Sequence, residues 1–143
     1  MGIEGVLLVE PKPTPRPKVR RAGGVYYPNN YSDYKNILVS QLTAQKRVQG
    51  WEFDPASIRA VELTFFFAYP KSTAKKRMID GALCCTKGDL DNLAKGVLDA
   101  MEQAGVLPND RQIAHLDVAK HWTTGRSRIH YYLATTFMTE DDE

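Results

Sequence analysis

Asp89 and Asp91 stand one residue apart, Lys95 follows one helical turn after Asp91, and Asp110 comes later in the same acidic stretch. Two carboxylates this close repel each other unless a divalent cation relieves them, and hard oxygen ligands suit Mg2+ or Mn2+. For phosphodiester hydrolysis such a set would polarise the phosphate, lower the pKa of the attacking water and offset the charge of the transition state. Lys95, on the face of Asp91, could stabilise that developing charge. Taken alone, Asp-x-Asp is a weak signal that a plainer arrangement fits better, with Asp89 capping a helix and Asp91 facing solvent.

Elements must position these groups. From residue 89 to about 104, Leu90, Leu93, Ala94, Val97, Met101 and Ala104 follow helical spacing and Gly105 ends the run. Asp89 and Asp91 therefore sit at a helix N-terminus, whose free amides and dipole favour carboxylates, and Asp110 falls in the turn between that helix and the next strand. Asp99 lies two turns beyond Asp91, roughly 12 Å along the axis, too far to share an ion, and is expected to pair with Lys95 or face solvent. Asp117 has no assignable place. Val61, Leu63, Phe65, Phe67 and Tyr69 alternate strictly, which predicts an interior strand over residues 60–69. Residues 112–122 and 127–137 read as two further strands joined by a turn into a terminal hairpin. A first helix is expected over residues 33–49, capped by Ser32, burying Tyr34, Ile37, Leu38 and Leu42. Gly23-Gly24 suggests a small hairpin between residues 19–21 and 25–27. Helices mixed among strands imply an α+β fold, a mixed sheet of four to five strands covered by two main helices.

Charge is segregated along the chain. Residues 11–47 carry Lys12, Arg16, Lys18, Arg20, Arg21, Lys35, Lys46 and Arg47 against Asp33 alone, and residues 71–88 carry Lys71, Lys75, Lys76, Arg77 and Lys87 against Asp80. Between residues 89 and 117 the sign reverses. A basic chain with one acidic island suits a metal-dependent enzyme acting on a polyanion, and solvated faces are the bland alternative. Alternate prolines from Pro11 to Pro17 hold that segment extended. Arg16, Lys18, Arg20 and Arg21, with Tyr26 and Tyr27, combine phosphate-seeking charge with rings able to stack on unpaired bases. Lys75, Lys76, Arg77 and Lys87 lie on a connection that leads into the acidic site. It has no clear period, and is expected to be disordered without ligand.

A chain of 143 residues with 43% hydrophobic and 25% charged residues is one ordinary domain, placed at residues 1–139, with an acidic, disordered tail at 140–143. The longest apolar stretches, residues 5–9 and 63–69, are too short to cross a bilayer and no signal pattern opens the chain, so a cytoplasmic protein without membrane contact is expected. Adjacent Cys84 and Cys85 make neither a loop-closing disulfide nor a zinc site and are read as inert. His115, His121 and His130 lack ligand spacing and are read as structural. Trp51, Phe53 and Trp122 are read as packing residues.

The longer string Lys87-Gly88-Asp89-Leu90-Asp91-Asn92-Leu93-Ala94-Lys95, followed by Asp99 and by Asn109-Asp110-Arg111-Gln112-Ile113, resembles the RusA family of Holliday junction resolvases. These are Mg2+-dependent endonucleases, many encoded by phages and prophages. The resemblance is tight over residues 87–113 and looser over residues 13–19, the tyrosines after them and the basic loop. It implies that Asp89, Asp91 and Asp110 are the metal-binding catalytic acids, Lys95 the catalytic-site lysine and Asn92 a supporting residue behind them. It also implies branched DNA as substrate, in recombination and repair, a homodimer whose two-fold axis matches a four-way junction, and no small-molecule cofactor. If phage-encoded, the enzyme works in the host cytoplasm. Gly88 stands where the family usually has proline and is expected to loosen the lead into the helix. Asn109 stands where the family commonly has a first aspartate, leaving Asp110 the sole acid of that turn.

Three rival readings stay open at this point. A broader nuclease would act on flaps or forks during phage replication, and a non-catalytic DNA-binding module would use the aspartates only to cap and solvate a helix. A nucleotide phosphotransferase is disfavoured by the lack of a Gly-rich phosphate loop.

Overall fold

The computed structural model describes residues 2–15, 18–19, 23, 25–26 and 29–135, with only the backbone of residues 18, 19, 25, 26 and 29. The main sheet has four strands, β1 (Gly2–Leu7), β4 (Ala60–Ala68), β5 (His115–Thr123) and β6 (Arg128–Ala134), in the order β1-β6-β4-β5. β4 pairs antiparallel with β6 and parallel with β5, so the sheet is mixed. β2 (Lys18–Val19) and β3 (Val25–Tyr26) form the small separate hairpin expected around Gly23. Helices α1 (Asn29–Gln49) and α2 (Leu90–Gln103) cover one face, giving the α+β architecture that the sequence pattern implies. Among the described residues no helix is long and apolar enough to cross a membrane. The C-terminal stretch from residue 136 lies outside the described residues, as does the tail expected at 140–143.

The core follows the strand period. Val61, Leu63, Phe65 and Phe67 of β4 and Ile129, Tyr131 and Leu133 of β6 face the helices and are buried. Against them pack Tyr31, Tyr34, Leu38 and Leu42 of α1 and Leu93, Ala94, Val97 and Met101 of α2. Ile37 and Leu90, expected in the core, are 43% and 41% exposed, because each lies at the margin of its helix's apolar stripe. The helices approach closely where α2 has Gly96: a Cβ there would stand 2.8 Å from the Tyr31 hydroxyl oxygen.

Three expectations are corrected. α1 begins at Asn29 rather than Asp33. β5 and β6 do not pair as a hairpin; β4 lies between them, so residues 124–127 must span two strand spacings. The basic connection of residues 70–88 follows a defined, hydrogen-bonded path instead of the disordered one expected. Backbone bonds from Gly81 N to Trp122 O, Trp122 N to Ala82 O and Cys84 N to Lys120 O lay it along the outer edge of β5. Asp80 reinforces this, accepting from Thr124 N at 2.9 Å and Thr123 Oγ1 at 3.1 Å. These bonds, that to the Thr124 backbone foremost, hold its carboxyl below the usual carboxylate range.

Strand β1 carried no alternation strong enough to read, since Gly2 and Gly5 interrupt it. Its place is fixed from α1 instead. Gln49, Gln45 and Gln41 donate from Nε2 to the carbonyls of Glu4, Val6 and Leu8, and Gln41 Oε1 accepts from Leu8 N. Four helical residues advance about 6.0 Å and two strand residues about 6.6 Å, so the rungs stay nearly in step. Gln45 has a second duty, accepting from the buried Tyr131 hydroxyl at 2.5 Å. By contrast the Tyr34 hydroxyl is buried near the Lys12 backbone without a well-formed hydrogen bond among the described residues, and burial pushes its pKa above the ordinary tyrosine range.

These two tyrosines predict opposite outcomes in urea unfolding. Gln45→Ala strands the Tyr131 hydroxyl and lowers stability by about 1–3 kcal/mol, whereas Tyr34→Phe leaves stability unchanged or raises it by up to about 1 kcal/mol.

Candidate active site

α2 starts where the basic connection ends, and that junction is held from three sides. Lys87 has φ +70° and Gly88 φ +102°, so the chain makes a left-handed turn that a lysine enters only under constraint. Lys120, on β5, supplies the constraint, donating from Nζ to Thr86 O at 2.9 Å and Gly88 O at 2.7 Å. On the opposite side a Cβ at Gly88 would approach Pro13 to 2.9 Å, so the proline-rich segment closes over the turn. Thr14 completes the seat, its amide and hydroxyl both donating to Asn92 O, at 3.2 and 2.9 Å. Gly88 is thus pinned rather than loosened, correcting the sequence expectation. Proline, fixed near φ −65°, cannot adopt this conformation.

Asp89 occupies the N-cap position of α2, but its side chain makes no capping hydrogen bond. The plain capping role is therefore unfilled, and the carboxylate is exposed. Asp91 and Lys95 line a cavity of about 280 Å3 beside α2, together with Ala94, Leu98, Asp99, Asp110 and Leu116. Asp110 opens a short 3-10 turn, Asp110–Gln112, and its amide donates to Glu102 Oε1 at 2.5 Å. Asn109 builds this turn. Its side chain accepts from Arg111 N at 2.8 Å while Gln112 Oε1 accepts from Asn109 N, a reciprocal capping box. An aspartate at 109 could fill the same cap, so the asparagine keeps the turn and removes one charge.

The cavity joins some predicted residues and separates others. Asp91, Lys95 and Asp110 share it, Asp89 is not among its lining residues, and Asn92 gives its carbonyl to Thr14. Asp110 is tied to Glu102, which lies about 16 Å along the helix axis from Asp91. Among the described residues no three His, Cys, Asp or Glu side chains are gathered to hold an ion by themselves. A magnesium ion does not require that, since it is commonly held by one or two carboxylates, water and substrate phosphate. Asp99, set aside on distance, lines the same cavity and pairs with Lys35 of α1 at 3.8 Å rather than with Lys95. Lys120 escaped the sequence reading altogether. Its signal was a lysine in phase with Leu116, Val118 and Trp122 on the inward side of β5.

The basic residues divide. Lys75, Lys76 and Arg77 form an exposed 3-10 turn, Lys75–Arg77, on the ordered connection, and Lys87 is exposed beside Asp89. Arg16, Arg20, Arg21 and Tyr27 lie outside the described residues, as do the side chains of Lys18 and Tyr26. His121 and His130 both pack on Phe66, on the sheet face away from the helices, and Asp117 is exposed on that same face.

A model of the family described as endodeoxyribonuclease RusA matches residues 9–131. Among curated proteins, none matches the chain.

The seating of α2 predicts two outcomes. Lys120→Met frees the Thr86 and Gly88 carbonyls and costs about 1–3 kcal/mol, with faster amide exchange confined to residues 84–92. Gly88→Pro destabilises the chain in thermal unfolding, because the native φ is inaccessible to proline.

Proposed function

The chain belongs to the RusA family of endodeoxyribonucleases, and from that premise we propose that it resolves four-way DNA junctions by paired nicks, as a Mg2+-dependent homodimer in recombination and repair. The observation that carries this reading is the cavity along α2, lined by Asp91, Lys95, Asp99 and Asp110. A non-catalytic module using its aspartates only as caps is disfavoured, because the Asp89 side chain makes no capping bond.

In this reading Asp89 and Asp91, at the start of α2, would hold the ion together with water and substrate phosphate, with Mn2+ as a substitute for Mg2+, while Asp110 lies toward the other end of the same cavity. A bound divalent ion supplies polarisation of the scissile phosphate and a more acidic attacking water. Lys95 sets its ammonium against the charge that grows on the phosphate. Asn92 supports the helix start through its carbonyl. Lys75, Lys76, Arg77 and Lys87, with Arg16, Lys18, Arg20 and Arg21, track the phosphates, so affinity falls steeply with salt. Asp99 tunes the cavity through its pairing with Lys35. Phage or prophage origin and a cytoplasmic site of action fit the same reading.

The test is cleavage of a labelled four-way junction, beside flap, fork and duplex controls. Wild-type chain is expected to nick the junction in pairs with Mg2+ or Mn2+ and not with EDTA. Asp91→Asn is expected to lose at least about 100-fold in cleavage rate while binding the junction as tightly. Equal cutting of flaps and junctions would broaden the substrate, and binding without cutting in either metal would overturn the reading.

A further inference from the structure

Lys95 stands between two carboxylates of its own helix. Asp91 lies one turn before it and Asp99 one turn after, and all three line the same cavity. Residues four apart on a helix are neighbours, so an ammonium between two acids is ordinarily drawn into an ion pair with one of them. Among the described residues Lys95 makes no such pair, and the ion pair found there joins Lys35 of α1 to Asp99 at 3.8 Å. Asp91 is committed to the metal ion in the reading above. Asp99 is therefore the competitor for Lys95, and it is turned toward another helix.

That turn is built into the packing of α1 on α2. The helices run in the same sense, with Tyr31 at Gly96, Lys35 at Asp99 and Lys46 at Gly105. Lys35 follows Tyr31 by four residues and Asp99 follows Gly96 by three, about one helical turn in each case. The close approach that Gly96 permits thus delivers the Lys35 ammonium to the Asp99 carboxylate. Both side chains are partly shielded, at 24% and 33% exposure, where a charge acts on its neighbours more strongly than in open water. Lys95 itself is exposed and open to a phosphate.

We propose that Lys35 is a positioning residue for the cleavage reaction: by holding Asp99 toward α1 it leaves the Lys95 ammonium to the scissile phosphate, and it offsets a carboxylate charge that would oppose the DNA backbone at the cavity. Lys35 need touch neither DNA nor ion to do this. A solvent-accessible ion pair contributes little to stability, so the pair matters for where charge stands and not for holding the helices together. The inference rests on the nuclease reading proposed above and gives α1 a part in it.

Single-turnover cleavage of a labelled four-way junction, at saturating enzyme and with binding measured in parallel, tests it. Lys35→Met is expected to cut at least about fivefold more slowly than wild type while melting at the same temperature and binding the junction within about twofold. In an Asp99→Asn background the same Lys35→Met change is expected to alter the rate by less than about twofold, because the carboxylate it would release is no longer charged. Lys35→Arg, which keeps the cation, is expected to recover most of the loss. A Lys35→Met chain that cuts like wild type, or an equal loss in both backgrounds, would overturn the proposal. So would a loss that takes the form of weaker binding with a shallower salt dependence, the mark of a direct phosphate contact. If Asp99→Asn cuts too slowly for comparison, a crystal structure of Lys35→Met decides, Lys95 Nζ paired with Asp99 supporting the proposal and Lys95 apart from it overturning it. A wild type that cuts no junction removes the resolvase reading, and the same crystal structure still tests the pairing; a wild type that cuts no faster than Lys35→Met removes only this inference.

Discussion

Parallel pairing of β4 with β5 is the constraint on which the rest of the molecule depends. Neighbouring parallel strands cannot be joined by a tight turn, so the chain between them must travel the length of the sheet before it re-enters. Here that journey carries everything of chemical interest. It runs outward along the β5 edge with the basic side chains, returns as α2 across the apolar face, and turns at Asp110 into β5. The carboxylates share one cavity because they sit on two legs of the same crossover, with Leu116 of β5 closing the space between.

A crossover helix is only as well placed as its contacts, and α1 provides most of them. It meets α2 through Tyr31 at Gly96, through the Lys35–Asp99 ion pair, and through Lys46, whose ammonium donates to Gly105 O at 2.7 Å just beyond the end of α2. That last bond places a cation at the negative end of the helix dipole. α1 is itself located by its glutamine contacts to β1. A line of polar bonds thus runs from the sheet's first strand to the acidic helix, over an apolar interface that fixes distance but not register.

Local pattern made much of this legible. The alternation of β4, the stripe of α2 and the small hairpin each depend on residues close in sequence, and each stands where the period places it. The acidic string was read for the same reason, as Asp91 and Lys95 fall on one helix face. What the sequence hid is long-range. The position of β6 beyond β4 depends on which edge the basic connection occupies, and no run of residues encodes that. The bonds of Lys120 to Thr86 and Gly88, and the tie between Glu102 and Asp110, join residues that only the finished fold makes neighbours. Asp99 pairs with Lys35 of α1 rather than with Lys95, a partner that no spacing within α2 could name.

The glutamines on α1 have one more consequence. An exposed strand edge is a template on which a foreign strand can add, and that is how folded domains are recruited into fibrils. At β1 the carbonyls of Glu4, Val6 and Leu8 are taken by side-chain amides, and at β5 the outer edge is taken by residues 81–84. Among the described residues each rim is therefore occupied over part of its length, at β1 along its carbonyls and at β5 around Lys120 and Trp122. At those stretches a foreign strand finds its hydrogen-bonding groups already engaged, which hinders in-plane growth of an aggregate when the protein is concentrated.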